Sequence, residues 1–426
     1  MTNNKYMSFW WTSCLTVLAT AILVAWIPNL LSPDPPKGNI DGHVIPKLKK
    51  VSEIFRLHLL SEEEKGAAFA VFKDGEIVVD LWGGYADIEA WQPWKKSTVA
   101  NTFSLYNIAI SLSLGLLYER GFVDYENTIS AYWPEFGVNG KDKVTVRELL
   151  SEQSGLLRLN RSISIENLSN TDKLSEELAS QYLSSPGFIQ LDSDQGILEL
   201  YADQLVRRVD PSHRSLKQFF EEEFSSTLGL DFFVGLPLHE QHRAARVRGH
   251  GFSIIFEVIF APMEIIHTLL SYMRSSTFTE MNSIKRLNDP GIRSSSVGSV
   301  SGFVSARSLA QLYNDALLVG QNNLSPPIIS HSTWSRMTEV PIQSHDTSWA
   351  RKLGILGDWR MSAAGQVRNS PKGTKIIGYS GFGGQYVFVD KELNISLAYL
   401  TNYNSIYRSG LDPRFESLLR ALYDSI

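Results

Sequence analysis

Two β-hairpin signatures, one near each end of the chain, limit its fold more than any other feature. Near the front, Ala67-Ala68-Phe69-Ala70-Val71-Phe72 and Ile77-Val78-Val79-Asp80-Leu81-Trp82 flank Lys73-Asp74-Gly75-Glu76. An Asp-Gly pair suits a two-residue hairpin turn because both of its residues must take positive φ. Near the back, Gln385-Tyr386-Val387-Phe388-Val389 and Ile395-Ser396-Leu397-Ala398-Tyr399-Leu400 repeat the pattern around a polar turn. Helical patterns fill the space between, including residues 198–209 and 308–318. The closing segment 414–423 carries Phe415, Leu418, Leu419, Leu422 and Tyr423 at helical spacing. This order predicts an α+β domain: the N- and C-terminal segments form one antiparallel sheet, and a mainly helical middle covers a cleft. No internal repeat is visible.

Ahead of the first hairpin, residues 8–31 read SFWWTSCLTVLATAILVAWIPNLL without a charge. That length suffices for a bilayer-spanning helix, with Trp10, Trp11 and Trp26 near its ends as interfacial anchors. A cleaved signal peptide is the competing reading, but the run is long for an h-region and lacks a clear small-x-small site near its end. The division expected is a tail over residues 1–8, a transmembrane signal anchor over 9–31, a Pro-rich linker over 32–50 and a folded domain over 51–426. Lys37, Lys47, Lys49 and Lys50 after the span favour a cytosolic domain by the positive-inside rule. Asn-x-Ser sequons at Asn160, Asn167, Asn323 and Asn394 point the other way, although their number is close to chance. By analogy with other single N-terminal anchors, which usually place their domain outward, a single-pass membrane protein with a lumenal or extracellular glycoprotein domain is the expectation.

Composition excludes several classes. With 40 Lys and Arg against 45 Asp and Glu, the net charge of −5 is modest and unclustered, so nucleic acid is not an expected partner. Cys14 is the only cysteine, which rules out an internal disulfide framework or a thiolate metal site. The nine histidines show neither H-x-x-x-H nor H-E-x-x-H spacing, so neither a metal nor any other cofactor is expected. The apolar run 252–273 is broken by Glu257, Pro262 and Glu264, which are costly in hydrocarbon. It reads as a helical pair; exposed, it would offer a surface for a protein partner or for self-association.

Chemistry centres on Phe103-Ser104-Leu105-Tyr106-Asn107, placed before the apolar stretch 108–120. Further markers are Asp80-Leu81-Trp82-Gly83-Gly84-Tyr85-Ala86-Asp87, Leu116-Leu117-Tyr118-Glu119-Arg120-Gly121, Tyr132-Trp133-Pro134-Glu135-Phe136 and Val144-Thr145-Val146-Arg147-Glu148-Leu149-Leu150-Ser151. Leu228-Gly229-Leu230-Asp231-Phe232 and Gly381-Phe382-Gly383-Gly384 follow. In this order and spacing they resemble the serine β-lactamase, penicillin-binding-protein and class C esterase family over nearly all of residues 51–426. The resemblance implies a β-lactamase/transpeptidase-like fold and a Ser-x-x-Lys motif in which the Lys takes the proton of the nucleophilic Ser.

Each motif position that handles protons in that family is altered here. Ser104 stands at the nucleophile, but Asn107 occupies the Lys position, and no Lys elsewhere follows a Ser by three. An amide donates a hydrogen bond yet accepts no proton at useful pH, and general-base assistance is worth ~10²–10⁴-fold in rate. Ser104 also reads as a helix N-cap. The second motif should supply a Tyr after Pro186-Gly187; counting back from Val209 puts Ser193 there, within one residue. Asp192 and Asp194 beside it read as solvated loop acids, and Tyr125-Glu126-Asn127 matches only by coincidence. The third motif, Lys or His followed by Ser/Thr-Gly, appears as Tyr379-Ser380-Gly381. A phenol with an ordinary pKa near ~10 would need strong lowering to act as a base. By resemblance, the backbone N–H groups of Ser104 and Phe382 would form an oxyanion hole. The reading is a membrane-anchored β-lactamase-related pseudoenzyme that serves as a binding or scaffold module and takes a peptide or acyl ligand in the cleft. Its rival is a weak serine hydrolase of esterase or peptidase type, forming an acyl-enzyme through Ser104 with a non-standard base.

Overall fold

The computed structural model describes residues 36–37, 39–61, 63–156, 170–183, 196–248, 286–320, 326–340, 360–381, 383–403 and 412–426, with 20, 159 and 168 as single positions. Residues 38–426 form one compact unit. Expectations that fall on 9–31 (Thr20 apart), on 252–273, on Asn160, Asn167 and Asn323, and on Ser193 and Phe382 lie outside the described residues. Among the described residues no helix is long and apolar enough to cross a membrane.

The sheet joins the two ends of the domain as the hairpin signatures require. Strands β1 (Ile40–Val44), β2 (Gly66–Lys73), β3 (Glu76–Asp87) and β4 (Gln92–Pro93) come from the front; β5 (Ala100–Asn101), β6 (Phe232–Val234) and β7 (Gly302–Val304) form a separate three-stranded sheet. From the back come β8 (Arg360–Ser362), β9 (Gly365–Asn369), β10 (Lys375–Gly381), β11 (Gln385–Asp390) and β12 (Ile395–Thr401). The main sheet runs β1-β3-β2-β12-β11-β10-β9-β8, with β4 on β3, and its pairings are antiparallel. Asp74 and Gly75 both have positive φ, 50° and 85°, as the two-residue turn needs. β2 and β12 meet in the middle, Phe69 opposite Tyr399 and Val71 opposite Leu397.

Both faces of these central strands are covered, so most of their residues are apolar. Phe69, Val71, Leu397 and Tyr399 point to one layer, packed by helices α1 (Lys49–Leu60) and α7 (Pro413–Ser425) through Val51, Phe55, Phe415, Leu418 and Leu422. Ala68, Ala70, Ala398 and Leu400 point to the other, where the small side chains leave room for α6 (Ala306–Tyr313). Ser396 on that face donates its hydroxyl to Ala310 O at 2.8 Å. The helical middle adds α2 (Asn107–Glu119), α3 (Val146–Leu150), α4 (Thr171–Ser180) and α5 (Ile197–Val209). Residues 108–117 of α2 are all buried, which is why that helix is apolar on every side.

Two boundaries depart from expectation. The stretch read as linker up to residue 50 is already part of the fold from β1, where Ile40 pairs with Gly83 and Val44 with Val79. Its short length and exposed Asp41-Gly42-His43 conceal it from periodicity. The expected helix 308–318 is α6 up to Tyr313, then a wider turn over Asn314–Leu318.

Candidate active site

Ser104 sits in a 3-10 turn, Phe103–Tyr106, between β5 and α2, and is partly exposed. The approach to it is strained. Phe103 is buried with φ of 44°, a region that side chains other than Gly seldom adopt, so its surroundings must enforce it. Asn101 does so directly: its Oδ1 accepts the Phe103 N–H at 2.9 Å while its Nδ2 donates to Val300 O at 2.6 Å.

β10 brings the third motif alongside. A Cβ on Gly381 would stand 3.1 Å from Leu105 Cγ and 3.5 Å from Thr102 O, so strand and turn lie in close contact there. Gln385 Nε2 donates to Asn101 O at 2.9 Å and ties the next strand to the same turn. The strand that carries Tyr379, Ser380 and Gly381 thus packs on the turn that holds Ser104, and Tyr379 bonds Ser111 of α2, the helix that Asn107 opens. Ser193 and Phe382 are not placed. The helix after the second motif, α5, begins behind Gly196 at φ 86° and packs on α2.

The chemistry of these groups follows from their neighbours. Asn107, at the head of α2, donates from Nδ2 to Glu152 Oε1 at 3.3 Å. Glu152 follows α3 and itself has φ of 56°. Tyr379 is 3% exposed; burial pushes its phenol well above its ordinary pKa, the nearby Glu152 charge acts the same way, and a hydrogen bond with Ser111 of α2 opposes them. It therefore stays protonated at neutral pH. Ser380 Oγ is held by the Gln366 side-chain amide of β9, 2.8 Å from Nε2. Tyr106, next in the first motif, is fully buried, and its phenol is likewise driven up by burial, with Glu199 and Asp203 adding to it. The described residues hold no group of three His, Cys, Asp or Glu that could bind a metal.

Two residues of this neighbourhood escape a motif reading. Glu152 directly follows the Val144–Ser151 marker, but nothing in its spacing announces a contact with Asn107 across 45 positions of chain. Glu199 offers a signal, a single acid among Ile197, Leu198, Leu200 and Tyr201 in α5.

Comparison with known proteins agrees with this geometry. The Beta-lactamase family model matches residues 52–416. Esterase/beta-lactamase LipL of Mycobacterium tuberculosis is 27% identical over 357 residues, 79% of this chain and 77% of LipL. Among solved structures, a family VIII carboxylesterase is 27% identical with a TM-score of 0.70, covering 91% of this chain and all of the other. A penicillin-binding protein homologue from Caulobacter crescentus is 25% identical with a TM-score of 0.72 over the same shares. A family model that matches residues 52–416, most of the sequence, shows that the chain belongs to the β-lactamase family.

Proposed function

We propose that this domain is a β-lactamase-related pseudoenzyme, a binding or scaffold module that takes a peptide or acyl ligand in the Ser104 cleft without turning it over. The reading rests on one observation above others: the position that should carry the proton acceptor holds the Asn107 amide, already donating to Glu152. A Ser hydroxyl at its ordinary pKa is a poor nucleophile without such an acceptor. Tyr379 of the third motif and Tyr106 of the first are both buried and keep their protons. The test treats the purified protein with a fluorophosphonate and compares short-chain ester hydrolysis with that of Ser104→Ala. No labelling at Ser104 and equal rates are expected; stoichiometric labelling or a Ser104-dependent rate overturns the reading.

A second reading is favoured by Glu152. Its carboxylate stands beside the Lys position and could receive the Ser104 proton in a hydrolase of esterase type, the class named in LipL's description. In that case Ser104→Ala and Glu152→Gln both abolish an ester hydrolysis that the unmodified protein shows. Residues 9–31 are proposed as a membrane anchor with the domain outside the cytosol. Asn394, exposed in the β11–β12 turn, reports on that arrangement: a glycan there supports it, and complete extraction of the protein by alkaline carbonate removes the anchor.

A further inference from the structure

Glu199 stands in the first turn of α5 and is 6% exposed. A carboxylate so placed needs donors. It has three, all from one segment: Gly298 N–H at 2.6 Å, Ser299 N–H at 2.9 Å and the Ser299 hydroxyl at 2.6 Å. That segment, the helical turn Gly298–Ser301, leads into β7.

The carbonyls of the same segment serve the nucleophile turn. Asn101 Nδ2 donates to Val300 O at 2.6 Å, Thr102 Oγ1 to Gly298 O at 3.1 Å, and the Thr102 N–H to Gly302 O at 2.9 Å. On the far side of Ser104 the Tyr106 ring lies flat against Gly298, where a Cβ would come within 2.3 Å of two ring carbons. Residues before and after Ser104 are thus referred to a single stretch of backbone, and that stretch is fixed from behind by one carboxylate. The strained φ of Phe103 is held by Asn101, which is itself held by Val300.

From this chain of contacts we infer that Glu199 is a positioning residue for Ser104, acting through the Gly298–Gly302 segment. Its hydrogen bonds go to Gly298 and Ser299, and its effect on the site is transmitted by the backbone of that segment. The inference rests on the reading that the Ser104 cleft is the functional part of the domain, but not on whether Ser104 turns over a substrate.

Its test reports on geometry rather than activity. In the full chain with Cys14→Ser, a Ser104→Cys substitution supplies a thiol whose rate of reaction with a small disulfide reads the setting of position 104. Amide hydrogen exchange is followed in parallel over residues 100–106, 298–302 and 415–422. Adding Glu199→Gln, which keeps the shape but loses one acceptor oxygen, is expected to raise exchange at 100–106 and 298–302 about tenfold and to change the thiol rate severalfold. Residues 415–422, in the layer across the sheet, should keep their protection. Ser299→Ala removes only the hydroxyl donor and should give a smaller change at the same places; it carries the test if Glu199→Gln does not fold. Unchanged exchange at 100–106 in the variant that folds, or an equal rise at 415–422, overturns the inference. Ester turnover by Ser104 would sink the pseudoenzyme reading and leave this one standing.

Discussion

Gly298 shows how little tolerance the Ser104 turn has. The Tyr106 ring occupies the volume of a Cβ, and the opposite side of the residue is bonded to Glu199. Gly298→Ala should cost about 1–3 kcal/mol, as overpacking in a filled core does, read as a lower denaturant midpoint with an unchanged slope. Glu199 adds a pH dependence. Burial raises its pKa from 4.5 to about 7; hydrogen bonds from Ser299 and Gly298 oppose the rise, and Asp203 one turn along adds to it, with the protonated Tyr106 also facing the carboxylate. A folded pKa above the unfolded one means that the folded chain holds the extra proton between those values. The stabilisation is complete below about pH 4.5 and is lost as pH rises through about 7, a difference of about 3 kcal/mol. Denaturant midpoints at pH 5 and pH 8 check it: the unmodified protein should lose more stability on that rise than Glu199→Gln does. Asn107 differs from both: it is partly exposed at the head of α2, and its side chain donates to Glu152.

Among the elements, α7 depends on a buried ionic cluster at its start. Arg414 bonds Glu64 at 2.9 Å, Asp412 at 2.7 Å and Gly383 O at 3.2 Å, and Glu64 also accepts from Tyr399 and Thr401 of β12. Gly384, at φ 85°, lies so close that a Cβ would fall 2.2 Å from Asp412 Oδ2. Arg414→Met leaves two carboxylates buried without their cation, and about 3–5 kcal/mol of stability should go with it in the same denaturant assay. Elements whose signal is local were legible in the sequence. Asp74-Gly75 announces the first hairpin, and Phe415, Leu418, Leu419 and Leu422 announce α7. β1 was not legible, because five residues with three exposed carry no alternation and depend on β3 for their pairing. At the site, Ser104 and Tyr379-Ser380-Gly381 were found through motifs. Glu152 and Glu199 were not, since a carboxylate's partner across the fold leaves no trace in spacing.

For the molecule as a whole, the two layers on the sheet belong to different parts of the chain. Among the described residues one is made mainly by α1 and α7, so removing residues 413–426 uncovers Val51, Phe55, Phe69, Leu397 and Tyr399 together. Such a truncation should give no soluble monomer, measured by size-exclusion chromatography of the expressed protein. The placement of β12 beside β2 has a consequence for synthesis. When β2 and β3 have left the ribosome, the inner edge of β2 has no neighbour until residues 395–401 follow, after the whole helical middle. For that interval Ala67 to Lys73 present an open row of peptide groups, apolar on both sides, to any strand nearby. A chain cut short before β12 is thus an adhesive fragment rather than a smaller version of the domain, and cells making it must shield that edge or destroy the product.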